Sequence, residues 1–211
     1  MSGRSSRCSA LVLIALGACS KPAPQADPAT LEAKLKLLVS KEPPLGTSLR
    51  RCEEKDYENP AITVPTARAI ARLPIPDVPE MASWINPPEI DAPAYRVVLE
   101  SKDEKARRRA TWQLLNANGY ILYRVDLVNV PMALNLKELK RGAVGARAIG
   151  YDRNLNIACV RDFLFQNDKA LSEESMRVST KPVVDPEVIR KLRDDLGVQM
   201  KDKIRQLMGG G

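Results

Sequence analysis

Apolar residues recur at a helical spacing near both ends of the chain. In residues 29–41 they form one stripe, which the pair Pro43–Pro44 ends. A longer stripe follows Asp185, a good N-cap, and Pro186, which suits the first helical position. The stripe residues are Leu31, Leu35, Leu38 and Val39 in the first segment, and Val188, Ile189, Leu192, Leu196, Met200, Ile204 and Leu207 in the second. Both patterns predict amphipathic helices.

Between these helices, the pair Asn118–Gly119 predicts a β-hairpin, because both residues accept the positive φ angles of a two-residue turn. Folding residues 110–127 about this pair places apolar side chains on one face and polar side chains on the other, as a half-buried strand pair requires. A helix is the rival interpretation of residues 102–117, since Ser101 and Glu104 match a capping box. The hairpin accounts for more positions, and we predict it here.

Two further segments have the apolar content of strands. Residues 95–101 ("YRVVLES") predict one strand, and residues 143–165 predict a second hairpin that turns at residues 152–154. The sequence therefore predicts an α+β fold, in which an antiparallel sheet of about five strands, with two hairpins, is flanked by N- and C-terminal helices.

The stretch from residue 74 to residue 93 contains six prolines. Each proline removes a backbone donor and restricts its own φ angle, so a regular helix or a central strand is disfavoured. We interpret residues 74–93 as an extended segment that packs on its own domain. Docking by a partner protein is the alternative, because proline-rich segments are also preformed ligands.

The N-terminus has the features of an export signal. Arg4 and Arg7 precede an apolar core in residues 10–16, which is too short to span a bilayer. The segment Leu16-Gly17-Ala18-Cys19 resembles the lipobox of bacterial lipoprotein precursors. This resemblance implies that a diacylglyceryl group is attached to the Cys19 sulfur, that the peptide is cut before Cys19, and that the new amino terminus is acylated.

An ordinary secretory signal cut near Ala18 is the alternative, and it also predicts export. The lipoprotein interpretation divides the chain into a signal peptide (1–18), a lipidated flexible tether (19–30) and a single α+β domain (31–211). Ser20 resembles the sorting residue of outer-membrane cargo. We therefore expect a palmitate-bearing lipid anchor in the cell envelope, in the outer membrane facing the periplasm.

Cysteine usage is consistent with export. Cys8 leaves with the signal and Cys19 is the predicted lipidation site, so Cys52 and Cys159 remain. Two thiols in an oxidising periplasm predict one disulfide, with two unpaired buried cysteines as the alternative.

Charge and composition exclude several functions. Removal of residues 1–18 takes away Arg4 and Arg7 and lowers the formal charge from +7 to +5, which is too small for a nucleic-acid footprint, so no nucleic-acid partner is expected. Arg107, Arg108 and Arg109 are a candidate anion patch, with a solvated charge run as the alternative. The chain contains no histidine, which excludes Ser-His-Asp triads, Cys-His nucleophiles and histidine-ligated zinc. No metal site and no cofactor are predicted.

These observations favour a non-enzymatic envelope scaffold or adaptor that is attached to the membrane by its lipid and binds an envelope protein. A carrier or binder of a lipid-like or anionic ligand is the second hypothesis. A carboxylate-based hydrolase of cell-wall glycan is the third, with Asp126 and Asp152 as carboxylates to examine.

Overall fold

The computed structural model of the protein describes residues 23–41, 49–133, 139–167 and 186–207. The predicted signal peptide, the predicted lipidation site Cys19 and the tether up to residue 22 lie outside these ranges. The last residues of the predicted tether, 28–30, belong to the first helix.

The described residues form an α+β fold, as the sequence predicts. The helices are α1 (Pro28–Ser40), α2 (Val64–Ile70), α3 (Pro93–Glu100), α4 (Glu104–Leu115) and α5 (Pro186–Leu207). The strands are β1 (Ala61–Thr63), β2 (Gly119–Asn129), β3 (Met132–Ala133), β4 (Leu139–Lys140), β5 (Ala143–Asp152) and β6 (Ile157–Gln166). Strands β3 and β4 pair only with each other.

The main sheet has four strands in the order β1-β2-β5-β6, and it is mixed rather than purely antiparallel. Strand β1 is parallel to β2, whereas the β2–β5 and β5–β6 pairs are antiparallel. The prediction of about five antiparallel strands is therefore wrong, because the main sheet has four strands and one of its three strand pairs is parallel. The second predicted hairpin is present as β5 and β6, and Asp152 accepts hydrogen bonds from the backbone N–H groups of Asn154 and Asn156 in its turn.

The first predicted hairpin is wrong, and the rival helix is observed. Asp103 caps α4 by accepting a hydrogen bond from the Lys105 N–H group, and Ala110 and Leu114 lie on its buried face. Gly119 begins β2 instead of forming a turn. A Cβ atom at this position would collide with the carbonyl oxygen of Tyr151, so glycine permits the close approach of β5.

The predicted strand at residues 95–101 is also wrong, because α3 occupies this segment. Pro93 occupies the first turn of α3, where its missing N–H group costs nothing. Tyr95 and Val98, which are three residues apart, face the core together. Tyr95, Val97 and Leu99 alternate as in a strand, but Val97 and Leu99 are exposed because the segment is helical.

Each face of the sheet is covered by a different layer. Helices α1 to α4 cover one face, and their core includes Leu35, Tyr95 and Leu114. The proline-rich segment and α5 cover the other face, where Ile85 and Leu196 are fully buried. The segment contains two short 3₁₀ turns, Pro79–Met81 and Pro88–Ile90, within otherwise irregular backbone.

Gly197 lies in the middle of α5, where glycine weakens a helix. A Cβ atom at this position would lie 2.7 Å from the carbonyl oxygen of Trp84. The glycine therefore lets α5 pack closely against the backbone of the proline-rich segment. Among the helices in the described ranges, none is both long and apolar enough to cross a membrane.

Cys52 and Cys159 are joined, with an S–S distance of 2.07 Å, which fits the predicted disulfide. The backbone N–H group of Cys52 also donates to the carbonyl oxygen of Val160 in β6. Gly150 in the neighbouring strand has no side chain, and a Cβ atom there would collide with the Cys159 sulfur. The cross-link is thus fully inside the core between the sheet and the segment that precedes β1.

The disulfide closes a loop between residues separated by 107 positions. We expect the Cys52→Ala/Cys159→Ala variant to lose about 4–5 kcal/mol of unfolding free energy, because a loop of this length removes much entropy from the unfolded chain. Urea denaturation of the oxidised protein with and without dithiothreitol measures the same effect. The double variant should not respond to dithiothreitol, and a loss below about 1 kcal/mol would contradict the expectation.

Candidate functional site

The three arginines of the predicted anion patch do not act together. They are consecutive residues of α4, so their side chains project about 100° apart around the helix. Arg107 and Arg108 line a pocket beside α1, whereas Arg109 lines a separate groove between α3 and α4. The structure therefore brings together two of the three predicted residues and adds other cations to them.

The pocket beside α1, here called the basic pocket, has a volume of about 640 Å³ and is bordered by α1, α2, α3 and α4. Its apolar wall includes Ile70, Val98 and Leu99. Its cations are Arg72, Lys102, Arg107 and Arg108, and its carboxylates are Asp27, Glu32 and Glu104. Sequence reasoning missed Arg72 and Lys102, because they lie on connections whose positions only the packing of the helices determines.

Two of the four cations are paired with carboxylates. The Arg72 guanidinium lies 3.3 Å from Glu32, and the Arg108 guanidinium lies 3.0 Å from Glu104. A hydrogen bond from Lys36 is the main cause that lowers the pKa of Glu32, with further lowering by the charges of Lys36 and Arg72. Glu32 therefore stays ionised and neutralises much of the charge near it.

Lys102 and Arg107 differ from the paired cations. No carboxylate within the described ranges forms an ion pair with either of them. The Nε–H group of Arg107 donates to the carbonyl oxygen of Val98 at 3.2 Å, which holds the guanidinium against the end of α3. The remaining guanidinium donors can therefore bind an anion in the pocket.

The chain enters the domain at the rim of the basic pocket. The backbone N–H group of Ala26 donates to the carbonyl oxygen of Arg108 at 3.1 Å, and Asp27 caps α1. Asp27 and Pro28 themselves line the pocket. Any group attached to the residues that precede Ala26 is therefore linked to the domain next to these cations.

A second surface lies on the same face of the sheet, beyond the helices. Leu127, Gly145 and Leu164 are aligned across β2, β5 and β6 by the strand register. Leu127 is 50% exposed and Leu164 is 65% exposed, so this row, here called the open row, is apolar and accessible. A single exposed leucine is ordinary, but two on one register line form a small contact surface.

Charged side chains border the open row. Asp126 occupies a bulge in β2 and pairs with Arg124 at 3.2 Å and with Arg147 at 2.6 Å. Arg147 also lies 3.9 Å from Asp162 in β6. These ion pairs place charged groups beside the two leucines.

The carboxylates considered for hydrolysis do not face each other. Asp152 ends β5 at the β5–β6 turn, opposite Gly119, while Asp126 lies roughly 20 Å along β2. Hydrogen bonds from the side chain and backbone of Asn156 lower the pKa of Asp152, which caps the turn. Asp126 is occupied by its two arginines.

One group of potential metal ligands lies near the disulfide. The sulfur atoms of Cys52 and Cys159 and a carboxylate oxygen of Asp56 lie within 4.8 Å of one another. The sulfurs are bonded to each other, and Asp56 accepts two hydrogen bonds of 2.6 Å from Arg50. The sulfur and oxygen atoms that could bind a metal are therefore already engaged in the disulfide and in the contact with Arg50.

The buried carboxylate of Asp91 was not identified from the sequence. Asp91 is 4% exposed, and it accepts hydrogen bonds from the Thr63 N–H group and the Thr66 hydroxyl, both at 2.6 Å. Burial raises the pKa of Asp91, although these hydrogen bonds oppose the increase. The carboxylate attaches the end of the proline-rich segment to the start of α2, so its role is structural.

No protein-family model, curated protein or solved structure matches this chain. The features that bear on its function are the basic pocket, the open row and the N-terminal sequence.

The raised pKa of Asp91 predicts a pH dependence of stability. The folded protein binds the Asp91 proton more tightly than the unfolded chain, so this contribution is largest below the ordinary pKa and is lost as the pH rises through the raised pKa. Asp91→Asn should therefore show a smaller decrease in unfolding free energy between about pH 4 and about pH 7. Urea denaturation at several pH values measures this difference.

Two variants provide controls for this measurement. Asp77→Asn removes an exposed carboxylate from the same segment and should retain the pH profile of the original chain. Asp91→Ala should cost about 1–3 kcal/mol, because the buried Thr63 N–H group loses its acceptor. Identical pH profiles for Asp91→Asn and the original chain would contradict the assignment.

Proposed function

We propose that this protein is a lipid-anchored adaptor of the bacterial cell envelope, held to the outer membrane on its periplasmic side, whose folded domain binds an envelope protein. The lipobox-like segment Leu16-Gly17-Ala18-Cys19 supports the anchor. The open row supports the binding of a protein. The open row is the observation on which the adaptor function depends, since it is a defined contact surface on a rigid sheet.

The chemistry of the open row indicates the kind of partner. Its two exposed leucines favour a partner that buries them under apolar side chains. The neighbouring ion pairs of Asp126, Arg124 and Arg147 favour polar groups at the edge of that contact. An apolar centre with a polar rim is the usual arrangement of a protein interface. We therefore expect a folded protein or an extended segment of one, with charged residues around an apolar contact.

The sheet gives this surface a stable base. On its other face, Val144, Phe163 and Phe165 are buried in the core with α5. The leucines are therefore presented by strands that are packed on one side and accessible on the other. Binding to such a surface does not require the domain to rearrange.

The burial of the proline-rich segment and of α5 limits which variants can test partner binding. Deleting the proline-rich segment or α5 would remove Ile85 or Leu196 from the core, so loss of binding in such a deletion would only report unfolding. Substitutions at exposed positions of the open row avoid this problem.

The lipid anchor is tested by metabolic labelling. We expect labelled palmitate to enter the chain in a bacterial host, and we expect Cys19→Ser to abolish the label and prevent cleavage of residues 1–18. The label is read by fluorography and the cleavage by mass spectrometry. Cys8→Ser is the matched control, since this cysteine precedes the cleavage site. A chain that stays unlabelled and uncut would contradict the anchor.

The adaptor surface is tested by photo-crosslinking in the native envelope. A photoreactive residue at position 164 should give one defined adduct, and the same residue at position 198 should not. Val198 is the control because it is 55% exposed but lies on α5. Leu127→Lys should reduce the adduct at least tenfold, because it places a charge inside the apolar contact.

Folding of these variants is checked by urea denaturation. Leu127 is exposed, so Leu127→Lys should change the unfolding free energy by no more than about 0.5 kcal/mol. Equal adducts at positions 164 and 198, or an adduct that Leu127→Lys leaves unchanged, would contradict a binding role of the open row.

A further inference from the structure

We propose that the basic pocket binds the phosphate group of an anionic phospholipid in the membrane that carries the anchor. This inference deepens the proposed function and depends on it, because it assigns a lipid ligand to a surface next to the tether. It involves binding only and no chemical step.

The donors available in the pocket match a phosphate. Arg107 is fixed by its hydrogen bond to Val98, which leaves the outer edge of its guanidinium for an acceptor. Lys102 adds a second cation with mobile donors. Arginine binds phosphate oxygens in a bidentate way, and lysine adds a point charge, so the two together form a phosphate site.

The carboxylates of the pocket cancel only part of its positive charge, because four cations face three carboxylates. Glu32 is paired with Lys36 and Arg72, and Glu104 is paired with Arg108. The Asp27 carboxylate accepts a hydrogen bond of 3.0 Å from the Ala29 N–H group as the cap of α1. Each acidic group thus has a hydrogen-bond or ion-pair partner, but among the described residues no cation pairs with Asp27, and the four cations of the pocket exceed its three carboxylates by one. No carboxylate is paired with Lys102 or Arg107 in the described ranges.

The apolar wall favours a lipid over a small free anion. Val98 and Leu99 border the same pocket as the cations, and Leu99, which is 44% exposed while Val98 is only 3% exposed, presents the accessible apolar surface. A phospholipid presents a phosphate next to a glycerol and acyl chains, so it contacts both kinds of surface. Inorganic phosphate would leave the apolar wall in contact with water.

The tether places the pocket close to the bilayer. Cys19 and Ala26 are seven residues apart, which allows a separation of at most about 25 Å. Ala26 is bonded to Arg108 at the rim of the pocket. An anchor on Cys19 therefore keeps the pocket within reach of lipid headgroups and gives them a high effective concentration.

The test titrates the purified full chain, as isolated from the envelope in a nonionic detergent, with three probes. These are dihexanoyl-phosphatidylglycerol, dihexanoyl-phosphatidylcholine and inorganic phosphate, and isothermal titration calorimetry measures each Kd. We expect the anionic lipid to bind at least tenfold more tightly than either of the others. The probes are soluble, so the result does not depend on whether Cys19 carries a lipid.

Variants of the pocket identify the site. Arg107→Gln and Lys102→Gln should each weaken binding of the anionic lipid about tenfold, since each removes a charged hydrogen-bond donor. Glu32→Gln should strengthen it severalfold, because it removes a negative charge beside Arg72. A gain of affinity cannot result from misfolding.

The matched control is Arg141→Gln/Lys203→Gln, which removes two exposed cations that do not line the pocket. It should change the Kd by less than twofold. A loss as large as that of Lys102→Gln/Arg107→Gln would show nonspecific attraction and overturn the site. Equal affinity for inorganic phosphate would overturn the lipid as ligand. Failure of palmitate labelling would overturn the anchor, and this titration would still report on the pocket.

Discussion

Burial of the central strands on both faces determines how the rest of the chain is arranged. In β2, Tyr120 and Leu122 enter the core under the helices, while Ile121 and Tyr123 enter the core under α5. A strand that is apolar on both faces must have other elements packed against each face. The helices α1 to α4 provide one cover, and a proline-rich segment with α5 provides the other. The open row remains because the helical cover ends before the strands do.

The sequence predicted the parts of this arrangement that depend on local patterns. The terminal helices follow from stripes with a clear period, and the β5–β6 hairpin follows from its turn. The error at residues 95–115 has a physical cause. Residues 120–123 are a continuous apolar run, which is typical of a central strand, and such a run supports many pairings equally well. The actual partners, β1 and β5, are distant in sequence or joined by several helices, and local alternation contains no information about them.

The glycines show a similar limit. Asn118–Gly119 is a strong turn signal when only the local conformation is considered. In the fold, Gly119 permits contact with Tyr151, Gly150 leaves space for the Cys159 sulfur, and Gly197 permits contact with Trp84. Gly119 and Gly197 are required by neighbours that are distant in sequence, and Gly150 is required by its partner across the β5–β6 hairpin. A glycine that permits a close contact therefore cannot be distinguished from a turn glycine until its tertiary neighbours are known.

The candidate sites also depend on tertiary neighbours that the local sequence does not reveal. The run Arg107–Arg109 is a conspicuous cluster in the sequence, yet the helix divides it between two surfaces. Arg72 and Lys102 join Arg107 only because α2 and α3 pack beside α4. What decides the character of the pocket is the distribution of its counter-charges, since Glu32 and Glu104 are paired and Lys102 and Arg107 lack acidic partners within the described residues. A net charge of +7 for the chain is compatible with many surfaces, whereas the proposal of an anion with an apolar body rests on one cation held by a backbone carbonyl beside the exposed Leu99. The pocket and the open row lie on one face of the sheet, one at the tether and one beyond the helices. The proposed lipid site is therefore separate from the proposed protein-binding surface, and occupation of one does not cover the other.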